Sequence, residues 1–157
     1  MATTLDDVAV IDVDGHVWEP DEAWEQHLDP TFLDRRPRIV QDDLGTTRYL
    51  VEDRMVPTGT GRGAWAPEGF REASLHRPGG VDPHARLIDM DADGIDVAVL
   101  YGTLALGLWS IRDLELQVAC CRAFNDWLAT YCAVEPTRLR AAAALPLASI
   151  DHAVTEA

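Results

Sequence analysis

Two acidic residues and a histidine stand at every second position near the start of the chain, at Asp12, Asp14 and His16. They follow residues 8–11, a run of consecutive apolar side chains that predicts a short strand buried on both faces. If the chain stays extended through His16, alternation places all three side chains on one side of the strand. Carboxylate and imidazole groups together suit zinc or manganese. The pattern therefore predicts the beginning of a divalent-metal site.

The segments that follow alternate between helix and strand. A short helix is expected over residues 21–28. A second helix is predicted between Asp82, a suitable N-cap, and Gly94, a suitable residue for the C-terminal end. Residues 95–101 are apolar and rich in β-branched side chains, which is typical of a buried strand.

The clearest helical pattern lies in the second half of the chain. Residues 110–113 have the composition of a capping box, which would begin the helix at Ser110. Apolar residues then recur at spacings of three and four as far as Tyr131, and Pro136 closes the pattern. A third strand is predicted over residues 140–147, with another helix beginning after it.

This order of elements predicts parallel strands joined by crossover helices. It fits an open doubly wound sheet or a barrel, and both place active sites at the carboxyl ends of their strands. An insert over about residues 31–80 interrupts the alternation. Within it, residues 38–41 and 48–51 predict a β-hairpin around Gly45.

The composition argues against several classes of function. The 157 residues carry a formal net charge of −14, which disfavours nucleic acid and anionic membranes as partners. All basic residues are arginine, so no lysine is present for Schiff-base or general-base chemistry. Cys120, Cys121 and Cys132 fall in one predicted helix and are expected to be reduced and buried. Without a signal-peptide pattern or a long apolar stretch, a cytoplasmic protein is expected.

The residues from 11 to 20 resemble the first-strand signature of the amidohydrolase-related family, which includes aminocarboxymuconate-semialdehyde decarboxylase and the resorcylate decarboxylases. Members begin with a carboxylate-x-His pair on the first barrel strand, as Asp14-Gly15-His16 does, and many bacterial members continue with x-x-Glu-Pro, as residues 17–20 do. Further similar stretches follow in the family's order, at residues 86–91, 94–96, 99–103, 124–128, 136–139 and 145–147. Nearly the whole chain takes part in the resemblance.

The resemblance implies an α/β fold that is part of a TIM (β/α)8-like barrel. It would contain about the first three parallel strands with their helices, plus the β-hairpin insert. By the same resemblance, Asp14 and His16 are the metal ligands, and zinc is the expected ion with manganese as the alternative. Glu19, Trp18 and Tyr101 are candidate substrate-binding residues.

For the complete enzyme, the resemblance implies metal-dependent hydrolysis or non-oxidative decarboxylation in the amidohydrolase superfamily. The expected partner is a small-molecule substrate, aromatic or not, with a carboxylate, amide or ester group. Trp18, Trp24 and Trp65 could line an aromatic pocket, although packing of the insert on the barrel mouth is the simpler explanation for them.

The family's other metal ligands and its catalytic residues come from later strands, so they are expected beyond Ala157. A full barrel takes about 250 residues. Residues 1–157 are therefore expected to be the N-terminal part of a single barrel domain, inactive alone and a weak metal binder. No metal role is assigned to the remaining histidines, which are His27, His76, His84 and His152.

Three other interpretations stay open. The motif Asp12-Val13-Asp14-Gly15 also fits a haloacid-dehalogenase-type magnesium phosphatase with Asp12 as nucleophile, although the basic residue of that family is usually lysine. A truncated, non-catalytic barrel could act by association and form a homo-oligomer, because exposed strand edges favour pairing. A purely structural interpretation has Asp12 capping a turn, with Asp14 and His16 as polar loop residues.

Overall fold

The computed structural model of the chain describes residues 8–41, 43, 47–52, 54–56 and 77–157. In chain order, its strands and helices are β1 (Ile11–Val17), α1 (Asp21–His27), β2 (Arg38–Gln41), β3 (Thr47–Val51), β4 (Arg54–Val56), α2 (Pro83–Asp93), β5 (Val97–Gly102), α3 (Leu114–Cys132), β6 (Leu139–Ala141) and α4 (Ile150–Glu156). Short 3₁₀ helices span Pro30–Arg35, Pro78–Gly80 and Ala105–Ser110. No helix in the described ranges has the length and apolar character needed to cross a membrane.

The predicted parallel arrangement is confirmed. Strands β1, β5 and β6 form one sheet in that order, and both pairings are parallel. The predicted antiparallel pairing of β2 and β3 is also confirmed, and β4 adds a third strand to it, whereas the predicted turn residue Gly45 lies outside the described residues. The architecture is therefore a three-stranded parallel sheet with crossover helices and a separate antiparallel insert.

The predicted burial of the first strand is wrong. Residues 8–10 precede β1, and the side chains of Val8, Val10 and Ile11 are 51%, 48% and 56% exposed. Within the described ranges, β1 pairs along one edge only, with β5. Burial on both faces requires cover on both faces, and here only one face is covered, where Gly15 and Val17 are buried.

Capping residues at its two ends determine where α2 begins and ends. The Asp82 side chain accepts a hydrogen bond from the His84 N–H, and Pro83 occupies the first helical position. Gly94 ends the helix in the left-handed region, with φ +70°. Both predicted caps are confirmed. The sequence could predict them because a cap depends only on residues within one turn of the helix end.

The predicted capping box is wrong by one turn. Asp113, not Ser110, caps α3, and its carboxylate accepts hydrogen bonds from the N–H groups of Glu115 and Leu116. Ser110 belongs to the preceding 3₁₀ helix, where its hydroxyl donates to the Gly107 carbonyl. The third strand is also shorter than predicted: β6 ends at Ala141, and the chain then runs irregularly to residue 149.

The core lies between the covered face of the parallel sheet and α3. Leu100 and Leu139 from the sheet belong to the same buried cluster as Phe124 and Leu128 from α3. Trp24 joins this core from α1, so it does not line a pocket, whereas Trp65 lies outside the described residues. The three cysteines are buried and free, as predicted.

The half-buried carboxylate of Glu52 attaches the insert to the part of the fold that contains the parallel sheet. Glu52, in the turn between β3 and β4, accepts hydrogen bonds from the N–H groups of Arg112 (3.0 Å) and Asp113 (2.9 Å). The guanidinium of Arg54 lies 3.1 Å from it, and that of Arg35 lies between Glu52 and Asp113. The backbone N–H of Arg112, more than any other partner, holds the pKa of Glu52 below its ordinary value of 4.5.

Substitution of Gly94 tests the left-handed cap. No atom lies within 4 Å of an added Cβ, so only the backbone conformation resists a side chain. We expect Gly94→Ala to lower the free energy of unfolding by about 1 kcal/mol, measured by urea denaturation. Gly94→Asn should lose less, since asparagine tolerates this conformation. Equal stability of Gly94→Ala and the parent chain would show that the cap is unstrained.

A Glu52→Gln variant tests the attachment of the insert through its pH dependence. Because the folded-state pKa is depressed, the carboxylate stabilises the fold above pH 4.5, and this contribution is lost as pH falls through the folded pKa. We expect the variant to be less stable at neutral pH by about 1–2 kcal/mol, with the difference from the parent shrinking below pH 4.5. Glu22→Gln, at an exposed position of α1, is the control. A difference that stayed constant down to acid pH would contradict the assignment.

Candidate functional site

An irregularity in β1 shapes the site. Asp12 pairs with Ala98 and Gly15 with Leu100, so β1 contains one extra residue between these two positions. The Asp12 Oδ1 atom accepts a hydrogen bond from the Asp14 N–H at 3.0 Å, which holds the extra residue in place. A Cβ at Gly15 would lie 2.9 Å from a Leu100 methyl group, so glycine allows the strands to approach.

The bulge corrects one prediction about the polar triplet. Asp12, Asp14 and His16 were expected on one side of the strand, but the extra residue breaks the alternation. The Asp12 Oδ2 atom lies 3.1 Å from where a Gly15 Cβ would be, on the side opposite to His16. Asp12 therefore supports the backbone, which is the structural role considered for it.

Asp14 and His16 do lie together. The His16 Nε2 atom is 3.8 Å from Asp14 Oδ1, and the two side chains are 41% and 91% exposed. Asp14 is the central residue of β1, and His16 lies next to its last residue, at the end of the strand where parallel α/β folds place their sites. Among the described residues, no group of three or more histidine, cysteine and carboxylate side chains could hold a metal ion.

Tyr101 is the predicted residue that the structure brings to this pair. It is the partner of His16 in the β1–β5 register. The two ring centroids are 6.2 Å apart with a 39° angle between the planes, and Tyr101 is 38% exposed. Trp18 is half-buried, and its backbone N–H donates to the Gly80 carbonyl at 2.8 Å.

Glu19 occupies a different environment from the one expected. It is only 2% exposed, and its two carboxylate oxygens accept hydrogen bonds from the N–H groups of Leu104 and Ala105, each at 2.9 Å. Burial raises the pKa of Glu19, and the backbone hydrogen bonds oppose that rise. Its carboxylate faces backbone in the core of the described residues, whereas the predicted substrate contact needs an accessible side chain.

Two residues that sequence reasoning did not single out hold the end of β1. Arg86, on α2, donates from Nε to the Gly79 carbonyl at 3.0 Å and from Nη2 to the His16 carbonyl. Thr103, just after β5, donates from its hydroxyl to the Val17 carbonyl at 2.7 Å. Both lie in stretches that resemble the amidohydrolase-related family, which was the available signal.

A groove of about 480 Å³ lies elsewhere, where α1, α3 and α4 meet. Leu28, Phe32 and Val118 are among its apolar lining residues, and His27 and His152 also border it. It contains none of the predicted site residues, so the Asp14–His16 pair stands on an open strand end and not in this groove.

The fold has counterparts among solved structures. An amidohydrolase from Mycobacterium avium subsp. paratuberculosis K-10 is 26% identical, with a TM-score of 0.66, and the match covers 94% of this chain and 45% of that one. A 2,6-dihydroxybenzoate decarboxylase in complex with 2,6-dihydroxybenzoate is 23% identical, with a TM-score of 0.57 and coverage of 94% and 34%. The latter likeness supports the fold alone.

A third counterpart holds a metal. A dihydroxybenzoic acid decarboxylase from Polaromonas sp. JS666, with bound manganese and the inhibitor 2-nitroresorcinol, is 20% identical, with a TM-score of 0.59 and coverage of 94% and 33%. No family model and no curated protein sequence matches the chain. The chain spans less than half the length of the solved structures that it matches. The predicted resemblance to barrels of the amidohydrolase superfamily is confirmed.

Proposed function

We propose that Asp14 and His16 are two protein ligands of a divalent metal in a hydrolase or non-oxidative decarboxylase of the amidohydrolase superfamily. The observation that carries this proposal is the pairing of the two side chains, 3.8 Å apart and accessible, in a strand of a parallel sheet. The structural likeness to an amidohydrolase supports the same assignment.

The donor chemistry of the pair fits such a metal. An imidazole nitrogen and a carboxylate oxygen suit zinc and manganese alike, and one similar decarboxylase contains manganese. When bound, the metal supplies Lewis-acid polarisation of a substrate oxygen or activation of water. Two protein ligands leave most of a four-coordinate shell to other groups, so we expect the pair alone to bind metal weakly.

The neighbouring residues have roles of their own in this proposal. Arg86 fixes the His16 carbonyl and thereby the strand that carries the imidazole. The exposed Tyr101 beside His16 offers a ring face and a phenolic hydroxyl to a small aromatic carboxylate. Trp18 is the further candidate for contact with the substrate. A suitable first probe is 2,6-dihydroxybenzoate, which one similar decarboxylase binds.

The phosphatase alternative finds less support. It requires the Asp12 carboxylate to be free as a nucleophile at the end of the strand. In the structure this carboxylate accepts a hydrogen bond from the Asp14 N–H and lies on the opposite side of β1 from His16. One similar solved structure is also an amidohydrolase.

Metal titration tests the proposed ligands. We expect the chain to bind Zn²⁺ or Mn²⁺ weakly, with affinity about tenfold or more lower in Asp14→Asn and His16→Ala, as measured by isothermal titration calorimetry and, for Mn²⁺, electron paramagnetic resonance. His84→Ala, which removes an exposed imidazole from α2, is the matched control and should keep the parent affinity.

Two results would contradict the proposal. One is metal affinity that is unchanged in both Asp14→Asn and His16→Ala. The other is magnesium-dependent turnover of a phosphomonoester that Asp12→Asn abolishes, which would favour the phosphatase interpretation instead.

A further inference from the structure

We propose that Glu19 is a positioning residue, which fixes the loop after β5 against the end of β1 and so holds Tyr101 in the place beside the Asp14–His16 pair that the strand register gives it. The inference deepens the proposed function and rests on it for the metal, but the geometry of His16 and Tyr101 can be judged without metal. Glu19 does not touch a substrate in this assignment.

The first step is the set of bonds that joins the two strand ends. The Glu19 carboxylate accepts hydrogen bonds from Leu104 and Ala105, at 2.9 Å each. The Val17 carbonyl accepts two more, from the Thr103 N–H at 3.2 Å and from the Thr103 hydroxyl at 2.7 Å. Four hydrogen bonds therefore link residues 17–19 to residues 103–105, directly after His16 and Tyr101.

The second step is the tight packing at Gly102. A Cβ there would lie 2.3 Å from Glu19 Oε1, 2.5 Å from Ala105 and 2.7 Å from the Phe124 ring. The carboxylate thus rests directly against the backbone of the residue that follows Tyr101. A movement of this carboxylate toward Gly102 must shift the end of β5, because no free space separates them.

The third step is the chemistry of the buried group. Placing a carboxylate in the core is costly unless hydrogen bonds satisfy it. Here two backbone N–H donors, at the start of the 3₁₀ helix Ala105–Ser110, point at its two oxygens. A glutamine of the same shape would turn one NH2 group toward an N–H donor and lose one of the two bonds. The position therefore requires a carboxylate because both of its oxygens accept a hydrogen bond, which a side chain of the same shape but with one oxygen cannot do.

The fold also contains a matched control for a structural effect. Gln117 is buried to the same degree and binds the far end of the same loop, through the carbonyls of Leu108 and Ile111. Its substitution by leucine should destabilise the loop without touching the link between β1 and β5. Loss of stability alone is therefore separable from loss of positioning.

The experiment compares Glu19→Gln with Gln117→Leu in the full chain. The readouts are the nuclear Overhauser contacts between the His16 and Tyr101 rings, the Zn²⁺ affinity and the urea midpoint. We expect both variants to be less stable. Only Glu19→Gln should weaken the ring contacts, by at least about twofold, and the Zn²⁺ affinity, by about tenfold. Thr103→Val, which removes one of the four bonds, should change both in the same direction by less.

The outcomes are distinct. Unchanged ring contacts in a folded Glu19→Gln, or equal loss in Gln117→Leu, would overturn the positioning role. If Glu19→Gln does not fold, Thr103→Val decides: ring contacts weakened there support the role, and unchanged contacts refute it. Failure of the parent chain to bind metal would count against the proposed function, while the ring contacts would still decide the role of Glu19.

Discussion

The parallel pairing of β1 with β5 is the constraint on which the rest of the site depends. This register sets His16 opposite Tyr101, while the bulge before Gly15 turns Asp12 away and leaves Asp14 beside His16. A one-residue slip would reverse the faces of every side chain that follows. The bulge is such a slip, held locally by the Asp12 carboxylate, and it divides the polar triplet into one supporting residue and one accessible pair.

In the stretches that resemble the amidohydrolase-related family, several side chains form hydrogen bonds that join one element of the fold to another. Arg138 donates to the carbonyls of Ile95 and Asp96, and the Asp96 carboxylate accepts the N–H of Val10. The Asn125 side chain donates a hydrogen bond to the Ala144 carbonyl and accepts one from the Ala144 N–H. These side chains satisfy backbone groups between elements, and the part-buried groups of Ile95 and Ala144 would be costly to leave unpaired. The resemblance therefore follows the geometry of the fold more closely than it follows chemistry at the site.

Buried or half-buried carboxylates have a common role in this strongly acidic chain. Glu19 and Glu52 each accept hydrogen bonds from two consecutive backbone N–H groups, one pair at each end of the segment 104–113. The segment follows β5 directly and precedes α3. Two carboxylate acceptors at its ends, with the Gln117 side chain between them, hold the segment by hydrogen bonds. Residues 104–113, which follow Tyr101 in the chain, are thus attached by hydrogen bonds both to the segment after β1 and to the insert.

The amino-acid sequence by itself determined the features that depend on neighbours within a few residues. The caps at Asp82 and Gly94, the order of strands and helices and the closeness of Asp14 and His16 are of this kind, because helix ends and alternation are local. Tertiary structure alone decided the burial of Glu19 and the exposure of residues 8–11. Both depend on which groups, as many as 86 positions away in the chain, pack against these residues. Neither the periodicity nor the composition of a segment shows which distant groups will pack against it.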